Sequence, residues 1–403
     1  IDPSGLPRTL SAIDRRTMAM GKKALLAVLC ACAAFGLTGC WNYRGLNKLS
    51  IVSGMAVDLI PDSSQFKISY EVVDLTEGSK VNGPQTTMVE ATGKTLFDAA
   101  RNGKMRLGEK LYFGNMFIIV ISEKIAAEEG LARLMDWLLR DAELRETMHL
   151  IVAREGNAED ILRINGINNA VSAIEIDSII AEDQKTTAST SNTMLYQVFD
   201  ILHSEGKSLT LPAFHIAQNN GESAIEANGI AVFRDEKLIG YLTPEESKYL
   251  LFVTNQVKGG VLTVATQGEP YDEVTLEISN SKSKCSYAIK DGSMEVNVEM
   301  ETNVYLGEIS YPFNTLDPEK ITSLEAMAGA SLKQAMESII QKVQTIYRSD
   351  IFGFGAMVFR SDPKLWEQIS GSWNDGYFPT LHVTVHAKVN ILNSAFLKDT
   401  EEE

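Results

Sequence analysis

Residues 317–346 read DPEKITSLEAMAGASLKQAMESIIQKVQTI, and this stretch decides the architecture of the C-terminal part of the chain. Asp317 supplies an N-cap, Pro318 suits the first helical position, and Glu319 places an acid in the first turn. Ile321, Leu324, Ala328, Leu332, Ala335, Ile339, Val343 and Ile346 recur every three or four residues, the period of one helix face. A single long helix packed on a sheet is therefore expected. A coiled coil is the rival reading, but one helix flanked by strands has no companion helix. Off the stripe, Glu325, Lys333, Glu337 and Gln344 are expected mostly to face solvent or a partner. The partners of the helix are the strand-like runs Val261–Ala265, Glu273–Ser279, Lys284–Ile289 and Met294–Leu306, separated by Gly, Asn, Asp and Ser turns, which predict antiparallel strands. After the helix, Asp362-Pro363 caps a short helix carrying Trp366, and Leu381–Ile391 alternates as a last strand.

Towards the N-terminus strands and helices alternate. Leu49–Ile60, Phe66–Leu75 and Thr86–Ala91 read as strands, Thr95–Leu107 has helical character, and Met116–Ile121 suits a buried strand. Ala126–Arg145 reads as one amphipathic helix with Leu131, Leu134, Met135, Leu138 and Leu139 on its apolar face. Leu150–Ala153 is a strand and Ala158–Ile164 a short helix. Helical character returns over Ile174–Gly206 but is interrupted by the polar run Thr186–Asn192, which predicts a loop or hinge. Thr210–Ala217, Gly229–Arg234 and Lys237–Leu242 follow as strands, then a helix opened by Thr243, Pro244 and Glu246 as a capping box. The expected class is α+β with three domains, mixed sheets and flanking helices: an N-terminal α/β domain over 40–185, a small middle domain over 186–257, and a C-terminal domain over 258–403 with an antiparallel sheet packed on the long helix.

Residues 1–39 read as a leader, with Ile1–Thr17 an irregular lead-in and a signal peptide over about 18–39. Lys22 and Lys23 precede the uncharged run Ala24–Leu37, whose 14 residues fall short of the ~20 a spanning helix needs. The run ends in Leu37-Thr38-Gly39-Cys40, which resembles a bacterial lipobox and implies cleavage before Cys40 and diacylglycerol on its sulfur. A simple secretory signal with an accidental cysteine is the alternative. Two acyl chains at about 0.8 kcal/mol per buried CH₂ hold a protein stably where one is marginal. Beyond Cys30 and Cys32 of the leader and Cys40, Cys285 stands alone in a strand-like run, so no internal disulfide is expected and Cys285 reads as structural.

The chain has 403 residues, 44% apolar and 22% charged, with 37 Lys plus Arg against 53 Asp plus Glu, a net charge of -16. That acidic balance excludes nucleic acid as a charge-held partner and excludes electrostatic adhesion to anionic lipid. No phosphate-binding Gly-x-x-x-x-Gly-Lys loop or Gly-x-Ser-x-Gly elbow is present, and Gly353-Phe354-Gly355 follows a helix where a dinucleotide site requires a strand. His382 and His386 have zinc-like spacing, but on a strand their positions lie roughly 13 Å apart, too far for one metal. His149, His203 and His215 are scattered. Asp141 with Glu143, and Glu245 with Glu246, read as solvated helix faces and caps; a glycosidase pair has no sequence marker here. The reading is of a non-enzyme with no catalytic residue, no metal and no cofactor apart from covalent lipid on Cys40. An anchored solute-binding protein, which needs two α/β lobes and a cleft, and an anchored hydrolase are the alternatives.

At Cys40-Trp41-Asn42-Tyr43-Arg44-Gly45-Leu46-Asn47, followed by Ile51-Val52-Ser53-Gly54-Met55-Ala56-Val57-Asp58, the chain resembles the Ger(x)C family. These are the lipoprotein C subunits of GerA-type spore germinant receptors. Further blocks carrying the likeness are Phe113-Gly114-Asn115, Arg140-Asp141, Gly229–Phe233, Asp350–Gly355, Pro363, Trp366 and Trp373. Asn42 and Gly45 depart from the family's usual Asp and Glu, as does Asn393-Ser394 from its usual ending. The resemblance implies a three-domain protein lipid-anchored to the outer face of the inner spore membrane. It implies action by contact with the integral-membrane A and B subunits to trigger germination by small nutrients.

Overall fold

Ile118–Ser122 is buried at all five positions, which a strand achieves only when both faces of its sheet are covered. Among the described residues it is one of nine strands in the larger of two sheets. The computed structural model describes residues 23–28, 49–74, 85–140, 143–265, 273–311 and 313–393, and the described residues from 50 onward form one compact unit. Residues 23–28 are helical. Cys40, the block 41–47, Asp141 and the acidic tail 401–403 lie outside the described residues.

In chain order the elements of the first part are β1 (Leu49–Leu59), β2 (Phe66–Asp74), β3 (Gln85–Gly93), α1 (Leu96–Gly103), β4 (Lys110–Tyr112), β5 (Ile118–Ser122), α2 (Ala132–Arg140), β6 (His149–Ala153), α3 (Ala158–Arg163), α4 (Ser172–Thr186), α5 (Leu195–Leu202), β7 (Thr210–Asn219), β8 (Glu222–Arg234) and β9 (Lys237–Leu242). The strand order is β3-β2-β1-β5-β6-β7-β8-β9, with β4 also paired to β1. β1, β5, β6 and β7 run parallel at the centre, and antiparallel strands complete both edges. Side chains alternate between the two faces. Ile119, Ile121, Leu150 and Val152 pack with α1, α2 and α5, whereas Ile118, Val120 and Ile151 pack with α3 and α4.

The expected helix Ala126–Arg145 is shorter. Ile125–Glu129 forms a π-helical turn that ends at Gly130, and α2 starts only at Ala132. Gly130 has φ 78°, a left-handed conformation that a side-chain-bearing residue adopts with difficulty, so the helix cannot run through it. Leu131, Leu134, Met135 and Leu138 are buried as expected, but Leu139 is 56% exposed. The polar run 186–192 is a pinned corner: Asp183 accepts from the amides of Ser189 and Thr190 at 3.0 Å, and Gln184 Nε2 donates to Thr190 O at 3.0 Å.

The second part holds α6 (Pro244–Val253), β10 (Val261–Ala265), β11 (Glu273–Lys290), β12 (Ser293–Ile309), α7 (Pro318–Lys342), α8 (Phe354–Ser361), α9 (Pro363–Ile369) and β13 (His382–Asn393). The runs expected separately at 273–279 and 284–289 are one strand, carried through by a register shift between Ile278 and Asn280. β10, β11 and β12 are antiparallel, but β13 runs parallel to β12, from Glu295 opposite His382 to Val304 opposite Ile391. The sheet is thus mixed rather than wholly antiparallel. The long helix is the reason: α7, α8 and α9 form a crossover, and a crossover returns the chain in the direction of the strand it left. All three expected caps are present, Asp317 on Glu319 N, Thr243 with Glu246, and Asp362 on Leu365 N. On α7, Leu324, Ala328, Leu332, Met336, Ile339 and Ile340 are buried, while Ile346, expected on the stripe, is 66% exposed. The α-helix ends at Lys342 and a π-helical turn over Val343–Tyr347 rotates the following side chains. Gln344 is buried, contrary to its expected outward position, and its Nε2 donates to Phe378 O (2.9 Å) and Leu381 O (2.8 Å).

β8 joins the two parts. Its Ala231 and Phe233 belong to the core of the larger sheet, and Ile230 and Val232 to the core beneath α6, α7 and the smaller sheet. Strands β7–β9, within the region read as a middle domain, continue the sheet begun by β1–β6.

Candidate functional site

Where the chain leaves the π-helical turn after α7, Arg348 takes a left-handed conformation and directs Ser349 and Asp350 inwards. Ser349 Oγ donates to Phe233 O of β8 at 2.7 Å. Asp350 is 1% exposed, and its carboxylate accepts from the amides of Gly353 (2.9 Å), Phe354 (3.2 Å) and Gly355 (2.7 Å) and from Trp373 Nε1 (3.0 Å). The three amides are the unsatisfied donors at the start of α8, so Asp350 is the internal anion of that helix. Burial pushes its carboxyl above the usual range, and the four donors oppose that. The position a nucleotide phosphate would take at this glycine-containing turn is filled by the protein's own carboxylate. That is the physical reason Gly353-Phe354-Gly355 is no dinucleotide site.

The same turn ties the two sheets together. Ser208 N donates to Asp350 O at 2.8 Å, and Ala356 N donates to Gly206 O at 2.7 Å. A Cβ on Gly355 would lie 2.8 Å from both Trp366 and Trp373 and 2.9 Å from Gly206 Cα, so only glycine fits. Trp366 and Trp373 pack edge to face at 5.4 Å, and Trp366 Nε1 donates to Glu205 Oε2 at 3.1 Å.

Beside this hub opens a cleft of about 670 Å³. Its walls are one face of α2 (Met135, Asp136, Leu139), the loop 203–209 and the β8–β9 turn (Asp235, Glu236), with Trp366 and Trp373 at its base. Lys207, the only Lys or Arg lining it among the described residues, is held below the usual lysine range by burial, against the opposing charge of Asp350. Sequence reasoning did not find this cleft, because its walls come from four elements far apart in the chain. Asp350 did carry a signal: an Asp three residues before Gly353 at a helix start has the spacing of a capping side chain.

Two other buried acids are also consumed by helix starts. Asp58, from the block quoted above, accepts from Ala158 N (2.7 Å) and Glu159 N (3.1 Å) at α3, and burial pushes its carboxyl up to about 6. Glu71 accepts from Ser53 Oγ (2.8 Å), Ser172 N (2.8 Å) and Ala173 N (3.1 Å) at α4, and burial raises it too. Of the acids weighed earlier, Glu246 caps α6 and pairs with Lys342 at 2.6 Å. His382 and His386 are exposed on β13, opposite Glu295 and Glu299, and no group of three metal-ligating side chains occurs among the described residues. Cys285 is half-buried, donates to Val253 O at 3.6 Å, and its thiol is pushed up to about 11 by burial. Cys40, the expected lipid-attachment residue, falls outside the described residues.

Fold and site together define a two-sheet α+β protein in which three buried acids, Asp58, Glu71 and Asp350, serve its own helix starts. The profile described as "Spore germination protein N-terminal domain" matches residues 42–216, and "Spore germination B3/ GerAC like, C-terminal" matches 228–395. The chain belongs to the Ger(x)C family of spore germination proteins. It is 25% identical to spore germination protein KC of Bacillus subtilis (strain 168) over 395 residues, covering 92% of this chain and 96% of that one. Spore germination protein B3 of the same organism is 24% identical, over 85% of this chain and 91% of its own. The crystal structure of the GerBC protein has a similar fold, with a TM-score of 0.55, 20% identity, and coverage of 87% of this chain and all of that one.

Proposed function

We propose that this protein is the lipid-anchored C subunit of a nutrient germinant receptor on the outer face of the inner spore membrane, working by contact with the integral-membrane A and B subunits. The observation that carries this reading is the match of both halves, in order, to spore germination profiles, with relatives aligned over nearly their whole length. The sequence ending in Leu37-Thr38-Gly39-Cys40 supports diacylglycerol at Cys40, and no helix among the described residues is long and apolar enough to cross a membrane. A role in contact rather than catalysis is supported by the use of Asp58, Glu71 and Asp350 as helix caps. The test has two arms. Cys40→Ala should abolish lipid labelling and release the protein from spore membranes; labelling and maturation like the wild type would refute the anchor. Deletion in a strain whose only receptor includes this subunit should abolish the nutrient response; an unchanged response would refute the receptor reading.

A further inference from the structure

The cleft beside the Asp350 hub brings Leu139, Trp366 and Trp373 together with four acids, three of which form no ion pair among the described residues. Asp136 is held by both oxygens to Arg140, but Glu205, Asp235 and Glu236 are in no ion pair among the described residues. The neighbouring cations are engaged elsewhere: Arg133 on Glu129 (3.0 Å), Arg234 on Asp375 (2.6 Å), and Lys237 on Glu128 O (2.8 Å). Lys207 also lines the cleft, where burial holds it below the usual lysine range, and it makes no ion pair with Glu205, Asp235 or Glu236 among the described residues. Leu139, 56% exposed, lines the cleft one helical turn from Met135. Acids without a cation partner on a loop and a turn, beside Trp366, Trp373 and the exposed Leu139, complement a segment carrying both an apolar anchor and a positive charge.

We infer that this cleft docks a polypeptide segment of a partner protein, with an apolar side chain entering against Met135 and Trp366 and an adjacent Lys or Arg meeting Asp235 and Glu236. The inference rests on the receptor-subunit reading and names the surface through which that contact is made.

The experiment places a benzophenone-bearing residue at Leu139, and in a control at Gln334 on the exposed side of α7, in the full-length protein within spore membranes. Irradiation is followed by mass-spectrometric mapping of the adduct. The expected result is an adduct at Leu139 to a peptide of another protein that carries Lys or Arg next to apolar residues. Asp235→Asn with Glu236→Gln should lower its yield roughly threefold, and Glu236→Lys about tenfold, through lost and then reversed charge complementarity. Asn retains the left-handed backbone that Asp235 has at φ 54°, and immunoblotted protein levels should stay at the wild-type value. A Leu139 adduct to a small molecule or to a second copy of this chain would overturn the inference, as would a yield indifferent to all three substitutions. An adduct to a partner at Gln334 but not at Leu139 overturns the cleft and leaves the receptor reading standing. An unchanged nutrient response in the deletion strain overturns that reading instead.

Discussion

The two sheets reach stability by different routes. The larger is covered on both faces, so β5 carries five consecutive buried residues and its neighbours split their side chains between two cores. The smaller is covered on one face by α7, and its long strands alternate, with Val296, Val298, Met300 and Val304 buried and Glu299 and Glu301 outside. The outer face is a polar lattice: Asn303 Nδ2 donates to Asn280 Oδ1 and Asn390 Nδ2 to Asn303 Oδ1, both at 3.0 Å. The two buried acids of the first sheet, Asp58 and Glu71, cap helices, whereas the second sheet has water on one side and turns most of its polar side chains there. Single substitutions should therefore fall into classes set by which side of this division they touch.

The largest effect is expected at the joint between the sheets. Asp350→Ala leaves three buried amides and an indole N–H without an acceptor, and each such group costs about 1–3 kcal/mol. Urea unfolding should show a loss above roughly 4 kcal/mol, or no folded protein at all. A loss below about 1 kcal/mol would mean that the hub does not couple the two parts.

Next comes the covered face of the smaller sheet. Ile339→Ala, at a 3% exposed position on α7, should cost roughly 2–5 kcal/mol through the cavity it leaves. The same measurement on a partly collapsed site would give less, so the value sharpens how rigidly α7 is seated.

Asp58 tests the larger sheet through pH. Its carboxyl is raised from 3.8 to about 6, so on titration upward the unfolded chain releases its proton first and the native protein holds it longer. The stability this residue contributes is full below about pH 4 and is lost as pH rises through about 6, a change of roughly 3 kcal/mol. The stability difference between the wild type and Asp58→Asn, followed from pH 4 to 7, should move by that amount in that direction. A flat difference would show that the two amide donors fully offset the burial.

The smallest effect belongs to the solvated side of the smaller part. Among the described residues Lys333 on α7 makes only an exposed pair with Glu337 at 3.7 Å, so Lys333→Ala should shift stability by no more than about 0.5 kcal/mol. A larger loss would mean that α7 is covered on its outer face as well.

These classes were unequally legible. The caps at Thr243, Asp317 and Asp362 were readable because a cap and the amide it accepts from lie within four residues of each other. Leu139 and Ile346 were misplaced because periodicity assumes an unbroken helix, and Gly130 and the π-helical turn at Val343–Tyr347 break the phase. Gln344 went unrecognised because its acceptors, Phe378 and Leu381, lie 34 and 37 residues away. Asp58 and Glu71 look in sequence like ordinary acids within apolar runs, and their use as caps appears only when helices about 100 residues downstream are in place, whereas Asp350 lies within five residues of the amides it accepts from.

By itself, the sequence determined what is local: the strands and helices, their caps, the one-sided pattern of the smaller sheet, and the family through its spaced blocks. Backbone dihedral preferences and a period of two or 3.6 residues act over a few neighbours, so they can be read from neighbours. The parallel return of β13, the shared use of β8, the burial of Gln344 and the acid-lined cleft were decided only by the tertiary structure. Each depends on which distant surface excludes water from a group, and desolvation is a property of the assembled neighbourhood rather than of the chain.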